Sequence, residues 1–323
     1  MATASAARGS PDRVRLTAFA GVVLFGGVNA IAVKTSVEEL APLWSAGVRF
    51  ALAGMLLVAI VLLTRRPFPR GRSFSGALLY GTLAFAASFA FIYPALRDVP
   101  AGTAIVLISL VPLLTFGLAV VHGQERFHVQ GLVGALIALG GVAVIVADQL
   151  GAAVPLASLL FILVGVVFIA ESGVILKWVP RSDPFATNAV AMLGGAAVLL
   201  GLSLANGEGW AIPSQSATWA SLGYLVVFGS IAMFALYLFA LQRWTASAVS
   251  YVTLLMPLVT VPLAAVLIAE EVSLSFLLGG AIALGGVYVG AFLRIRPRRS
   301  SATSLPECLP VDACADPLPS SGR

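Results

Sequence analysis

Residues 100–144 read PAGTAIVLISLVPLLTFGLAVVHGQERFHVQGLVGALIALGGVAV, and residues 245–289 read TASAVSYVTLLMPLVTVPLAAVLIAEEVSLSFLLGGAIALGGVYV. The two stretches align without a gap, about 145 residues apart. Pro112 falls on Pro257, Thr115 on Thr260, Leu118-Ala119 on Leu263-Ala264 and Glu125 on Glu270, and ALIALGGV at 135–142 falls on GAIALGGV at 280–287. Solenoid units repeat every 20–50 residues or so, so this spacing is not a solenoid period. It marks a duplicated half-protein. In an apolar chain, that points to a membrane transporter built from two repeats.

The rest of the chain is as apolar as these stretches. It is 59% hydrophobic and 10% charged, with a mean hydropathy of +1.01. Soluble domains average roughly 45–50% apolar and about 25% charged. Runs of about 20 apolar residues, enough to cross a bilayer as a helix, recur from end to end. Ten are read, at about 15–34, 42–63, 74–96, 101–121, 129–147, 155–177, 184–205, 218–240, 246–268 and 274–294. The first has no small-residue cleavage site and reads as an uncleaved span. No alternation of the kind a membrane strand shows is present. The expected fold class is therefore an all-α membrane protein, with ten transmembrane helices as two inverted five-helix repeats. Five spans per half force the second half to enter the membrane from the opposite side.

Charge supports this reading and excludes others. With a cytoplasmic N-terminus, nearly all arginines and Lys177 fall on the inside, and only Lys34 and Arg97 fall outside, with Arg49 inside a span. That is a positive-inside pattern with both termini cytoplasmic. The net charge of +5 is spread over helix ends and is not a nucleic-acid signal. Residues 1–13 and 297–323 read as disordered cytoplasmic segments, and repeats of five helices are expected at 14–148 and 152–296. Cys308 and Cys314 in the tail suggest neither a disulfide framework nor a metal site.

Few residues offer chemistry. There is no Walker phosphate loop, so ATP does not drive the protein directly. His122, Glu125 and His128 do not have zinc-protease spacing and read as loop residues. No nucleophile–base pair or metal cluster is evident, so no enzyme, no cofactor and no metal are expected. Glu171 and Arg49 are the costly residues, at about 2.5–3.5 kcal/mol each for an ion deep in the membrane. Glu171 is open to three readings: a proton site, a counter-charge for a cationic substrate group, or a structural carboxyl. Arg49 could bind a substrate carboxylate, pair with Glu171, or bond helix-end carbonyls. Asn29, Trp44, Tyr93, Asn188, Tyr237 and Tyr251 complete the candidate substrate cavity. Ser45, Ser88 and Ser230 share that level and read as packing positions. Pro112 and Pro257 sit mid-span at matching positions, as hinges or as fixed bends. The Gly140-Gly141 and Gly285-Gly286 pairs read as close-packing positions, at the repeat interface or in a homodimer.

The ordered set of motifs resembles the EamA-type transporters of the drug/metabolite transporter superfamily. Its carriers are Asn29 to Lys34, Gly47 to Gly54, Tyr93-Pro94-Ala95-Leu96, Pro112, Glu125-Arg126 and Gly131 to Val142. A second copy supplies Ala240-Leu241, Pro257, Glu270-Glu271 and Gly279 to Val287. The resemblance spans about residues 14–295. It implies a plasma-membrane secondary transporter, an exporter of small metabolites such as amino acids or drug-like compounds. Its partners would be the small-molecule substrate and the lipid bilayer. The mechanism expected is alternating access between the repeats, with proton coupling one option through Glu171. A non-transporting membrane sensor or assembly partner that kept the fold is the alternative.

Overall fold

The structure is a computed structural model that describes residues 13–127, 129–151, 154–242, 249 and 252–292. His128, Tyr251, Cys308 and Cys314 lie outside the described residues. Among those described, helix is the only regular structure. The helices are α1 (Arg13–Glu39), α2 (Pro42–Leu63), α3 (Arg72–Gly81), α4 (Ser88–Ala95), α5 (Ala101–Ile108), α6 (Val111–Val121), α7 (Val129–Gly151) and α8 (Leu156–Leu176). Then follow α9 (Pro184–Ala205), α10 (Ser216–Val226), α11 (Met233–Leu241), α12 (Val252–Leu255), α13 (Pro257–Leu267) and α14 (Leu274–Phe292).

Eight stretches are long and apolar enough to cross a membrane, from Ala20–Glu39 to Ser216–Leu241, and two shorter apolar helices follow at Pro257–Leu267 and Leu274–Gly290. These match the first eight expected spans and lie inside the last two. Large apolar side chains such as Leu62, Leu136, Val266 and Leu274 face outward. In water such a belt would be an association hazard; in lipid it is solvated.

Local chemistry repeats between the halves. The α3–α4 span and the α10–α11 span each widen into a π-helical stretch, at Thr82–Ala87 and Val227–Ala232. The two stretches occupy the same place in the 145-residue repeat. A π stretch leaves carbonyls poorly paired along its helix, and such bulges recur at functional sites. The spans at 101–121 and 252–267 are also broken alike. Leu110 precedes Pro112 in the first, and Met256 precedes Pro257 in the second. Proline has no N–H to give the preceding turn, so the helix restarts there.

Helix ends show the same job done by different residues. After α2 and α9 the chain turns through a left-handed residue, Arg65 (φ 52) and Gly207 (φ 67). The next amides then return to the helix, Arg66 to the Val61 carbonyl and Glu208 to the Ser203 carbonyl, both at 3.0 Å. Pro42 and Pro184 open α2 and α9. Asp183 caps α9, accepting from the Phe185 and Ala186 amides at 3.0 and 3.2 Å, and Arg66 holds its carboxylate at 2.8 Å. α2 has Ala41 at that position and no cap of its own. Glu208, which matches Arg66 in the repeat, reaches across instead and accepts from Leu43 and Trp44 at 3.2 and 2.9 Å. Both lysines hold backbone carbonyls at the end of the third span of their half. Lys34 donates to the Arg97 and Val99 carbonyls, and Lys177 to that of Leu241. A cation suits the negative end of a helix. Burial lowers the affinity of the Lys177 amine for its proton, and neighbouring Arg181 adds to the effect.

α7 and α14 pack against each other through small residues. A Cβ on Gly141 would lie 2.3 Å from the Ala283 amide nitrogen, and one on Gly286 2.3 Å from that of Ala138. Gly140 and Gly285 face open space. The glycine pairs thus split: one member of each is used inside the chain, where bare backbone allows close approach. Gly141→Ala should cost about 1–3 kcal/mol by overpacking, read as a lower thermal midpoint in detergent. Gly140→Ala should leave that midpoint unchanged or slightly higher.

Candidate functional site

α1, α3, α4, α5, α8, α11 and α12 line a cavity of about 130 Å³. Its wall is mostly apolar and aromatic, with Phe89, Ile92, Ile105, Met233 and Phe234 prominent. Its polar points are Asn29, Tyr80, Ser172, Tyr237 and Thr253. Among the described residues, none that lines it is charged. The Tyr80 ring is 1% exposed, and its hydroxyl has no partner among the described residues. An unpaired buried hydroxyl is uncommon, because it forfeits its hydration for nothing. Tyr80 is one of the residues lining the cavity.

Arg49 lies directly behind this wall and is fully buried. Its Nε donates to Ser230 Oγ at 2.8 Å and one terminal nitrogen to Tyr93 Oη at 2.9 Å. The other terminal nitrogen donates to Asn29 Oδ1 at 3.1 Å and to the Gly229 carbonyl at 2.8 Å. The Phe50 and Phe89 rings lie 4.8 and 5.5 Å from the guanidinium carbon. Ser230 and Gly229 belong to the second π stretch, so the arginine takes up a carbonyl of that irregular backbone. A side chain at 229 would meet Asn29 Oδ1 at 2.4 Å, which is why glycine stands there.

Two consequences follow for the cavity. Guanidinium only donates, so the Asn29 atom facing it is the carbonyl oxygen. The Asn29 amide nitrogen is then left for the cavity. All four acceptors around Arg49 are neutral, so its positive charge is not cancelled locally. The cavity wall carries a positive bias without exposing a cation.

The expected site residues are therefore distributed unevenly. Asn29 and Tyr237 line the cavity; Arg49 and Tyr93 form the layer behind it. Glu171 does not meet Arg49. It sits on α8 next to Ser172, and its Oε1 lies 3.2 Å from His122 Nε2. His122, read from sequence as a plain loop residue, is thus fixed by tertiary contact. Trp44 is at the start of α2, stacked on Trp210 at 4.3 Å and donating to the Ala211 carbonyl, and does not line the cavity. Asn188 is fully buried on α9, with both amide atoms unpartnered among the described residues, and also does not line it. Tyr251 is outside the described residues. Pro112 and Pro257 stand at helix restarts, and Ile108 and Met256 beside them line the cavity. Tyr80 was missed; a tyrosine in the apolar run ALLYGTLAF was the available signal. Hydrogen bonds to a charged group are worth about 1.5–3 kcal/mol each. Arg49→Lys keeps the charge but not the fork, and should lower unfolding stability by about 3 kcal/mol. Tyr93→Phe should lower it by about half as much, in the same denaturation assay.

Comparison with known proteins agrees with this architecture. The EamA-like transporter family matches the chain twice, at residues 15–147 and 156–291. The "Uncharacterized inner membrane transporter YedA" of Escherichia coli K12 is 30% identical over 257 residues, which are 79% of this chain and 83% of that protein. The "Probable amino-acid metabolite efflux pump" of the same organism is 26% identical over 291 residues, 84% of this chain and 92% of that one. A crystal structure superposes with a TM-score of 0.64 over 88% of this chain and 99% of its own, at 20% identity, a likeness of fold. With both halves matched and a cavity lined by helices from each, this chain belongs to the EamA-like transporter family, and is a membrane transporter rather than an enzyme.

Proposed function

We propose that the protein is a plasma-membrane exporter of small amphipathic metabolites, amino-acid-like compounds among them, working by alternating access. The observation that carries this is the apolar cavity, lined by helices from both matched segments, with Asn29, Tyr80 and Tyr237 as its polar points. An apolar body would lie against Phe89, Ile105 and Phe234. An oxygen acceptor would take hydrogen bonds from the Asn29 amide and the Tyr80 hydroxyl, favoured by the charge of Arg49 behind them. Similarity to a protein named as an amino-acid metabolite efflux pump supports this substrate class.

The scaffold we infer has ten spans in two inverted repeats, 14–148 and 152–296, with both termini in the cytoplasm. The matching helix ends, π stretches and proline restarts favour it. Pro112 and Pro257 would act as hinges, since each restart sits beside the cavity and lacks a backbone bond that would stiffen it. Transport would be driven by a gradient, with a proton as the coupling ion.

The test is flux of radiolabelled amphipathic amino acids in proteoliposomes. Tyr80→Phe removes a hydroxyl with no internal partner, so folding should be unaffected. Loss of one hydrogen bond to substrate should raise KM about tenfold, equivalent to ~1.4 kcal/mol. An unchanged KM would remove Tyr80 from the site, and no flux by folded protein would overturn the reading.

A further inference from the structure

His122 follows the end of α6, in the first segment matched by the family, and Glu171 lies on α8, in the second. His122 Nδ1 is 2.8 Å from the Leu118 carbonyl oxygen. A carbonyl can only accept, so Nδ1 carries a hydrogen. In the neutral ring Nε2 is then a bare lone pair. Nε2 nevertheless faces Glu171 Oε1 at 3.2 Å. A lone pair and a carboxylate oxygen repel, so a proton must lie between them. It is on the imidazole (imidazolium with carboxylate) or on the carboxyl (neutral with neutral).

The surroundings make this proton structural. Glu171 Oε2 is buried and has no donor among the described residues. An ionised carboxylate with one oxygen in that state is costly unless a positive charge adjoins it. The His122 ring also packs edge-on against Trp178, at 5.0 Å between centroids. Beside it, Gln124 Nε2 donates to the Val174 carbonyl at 2.9 Å. Residues 122–124 are thereby fastened to the end of α8. Other ionisable groups on this face are Glu125 and Arg126 in the same loop, Lys177 and Arg181 beyond α8, and Tyr80 and Tyr237 on the packed helices. Tyr93 on α4 and Asp148 on α7 are bonded elsewhere, to Arg49 and Ser273.

We infer that His122 and Glu171 form a binding site for one proton that clasps the two halves together on the Lys177 face. With the proton bound, the loop lies on α8 and closes that end of the cavity, whose wall includes the adjacent Ser172. When the proton leaves to water on that face, Nε2 and the carboxylate repel and the loop separates. Proton occupancy and access to the cavity are then two readings of one event. The link to transport rests on the function proposed above; the clasp itself does not.

The experiment therefore measures access, not flux. Ser172→Cys is made in full-length protein with Cys308 and Cys314 changed to serine, and its labelling rate with an impermeant maleimide is followed in proteoliposomes. Thiolate formation alone speeds labelling as pH rises, so rates are divided by those of the same protein carrying Glu171→Gln. That amide can donate to a bare Nε2 or accept from a protonated one, so it keeps the clasp shut in either state. The ratio should climb as pH rises, approaching about tenfold per pH unit for release of one proton. His122→Ala should label fast throughout. If Glu171→Gln does not give a monodisperse protein, His122→Gln, whose amide donates to the carboxylate, takes its place. A flat ratio, or slow labelling of His122→Ala, would overturn the clasp. Such a result would leave the flux assay above unaffected.

Discussion

A guanidinium buried without a counter-carboxylate organises this protein. Arg49 is tolerated in the membrane because its hydrogen bonds reach α1, α4 and the π stretch of the α10–α11 span together. Removing any one acceptor leaves a charged donor unpaired in low dielectric, where that is most costly. The network therefore locks three elements from both halves of the chain into one arrangement. It also turns Asn29 so that its amide, not its oxygen, is presented to the cavity. Scaffold and cavity wall depend on the same side chain.

The duplication makes the asymmetry of this device plain. The place of Arg49 in the second half is taken by Ala191. There the π stretch needs no arginine, because α9 and the start of that stretch meet backbone to backbone. A Cβ on Gly81 would lie 2.1 Å from the Ala191 carbonyl oxygen, and one on Gly195 2.7 Å from Phe85 Cβ. One half closes its irregular helix by close packing and the other by a long charged side chain. The first solution is apolar and rigid; the second leaves polar groups at the cavity wall. The cavity wall is thus polar on one side.

Much of this was legible in the residues. Apolar length sets the spans, and the aligned Pro112 and Pro257 mark the restarts. Asn29, Arg49, Tyr93 and Ser230 were each recognisable as polar groups at similar depth in an apolar span. Which of them touch was not legible, because that depends on helix rotation and crossing, to which an uninterrupted apolar run is nearly indifferent. Glu171 and His122 show the limit. Their partnership joins two distant segments, and neither residue has a local pattern that names the other. The π stretches were also hidden. They contain no proline, and each lies against a distant element, α9 for the first and Arg49 for the second.

The arrangement is tested most directly by a double-mutant cycle between Arg49→Met and Ser230→Ala, followed by reversible denaturation in mixed micelles. Direct contact should give a coupling energy above about 1 kcal/mol, since partners in one hydrogen-bond network are non-additive. Additive losses, within about 0.3–0.5 kcal/mol, would mean that Arg49 does not hold the π stretch, and the cavity wall would have to be ordered by something else.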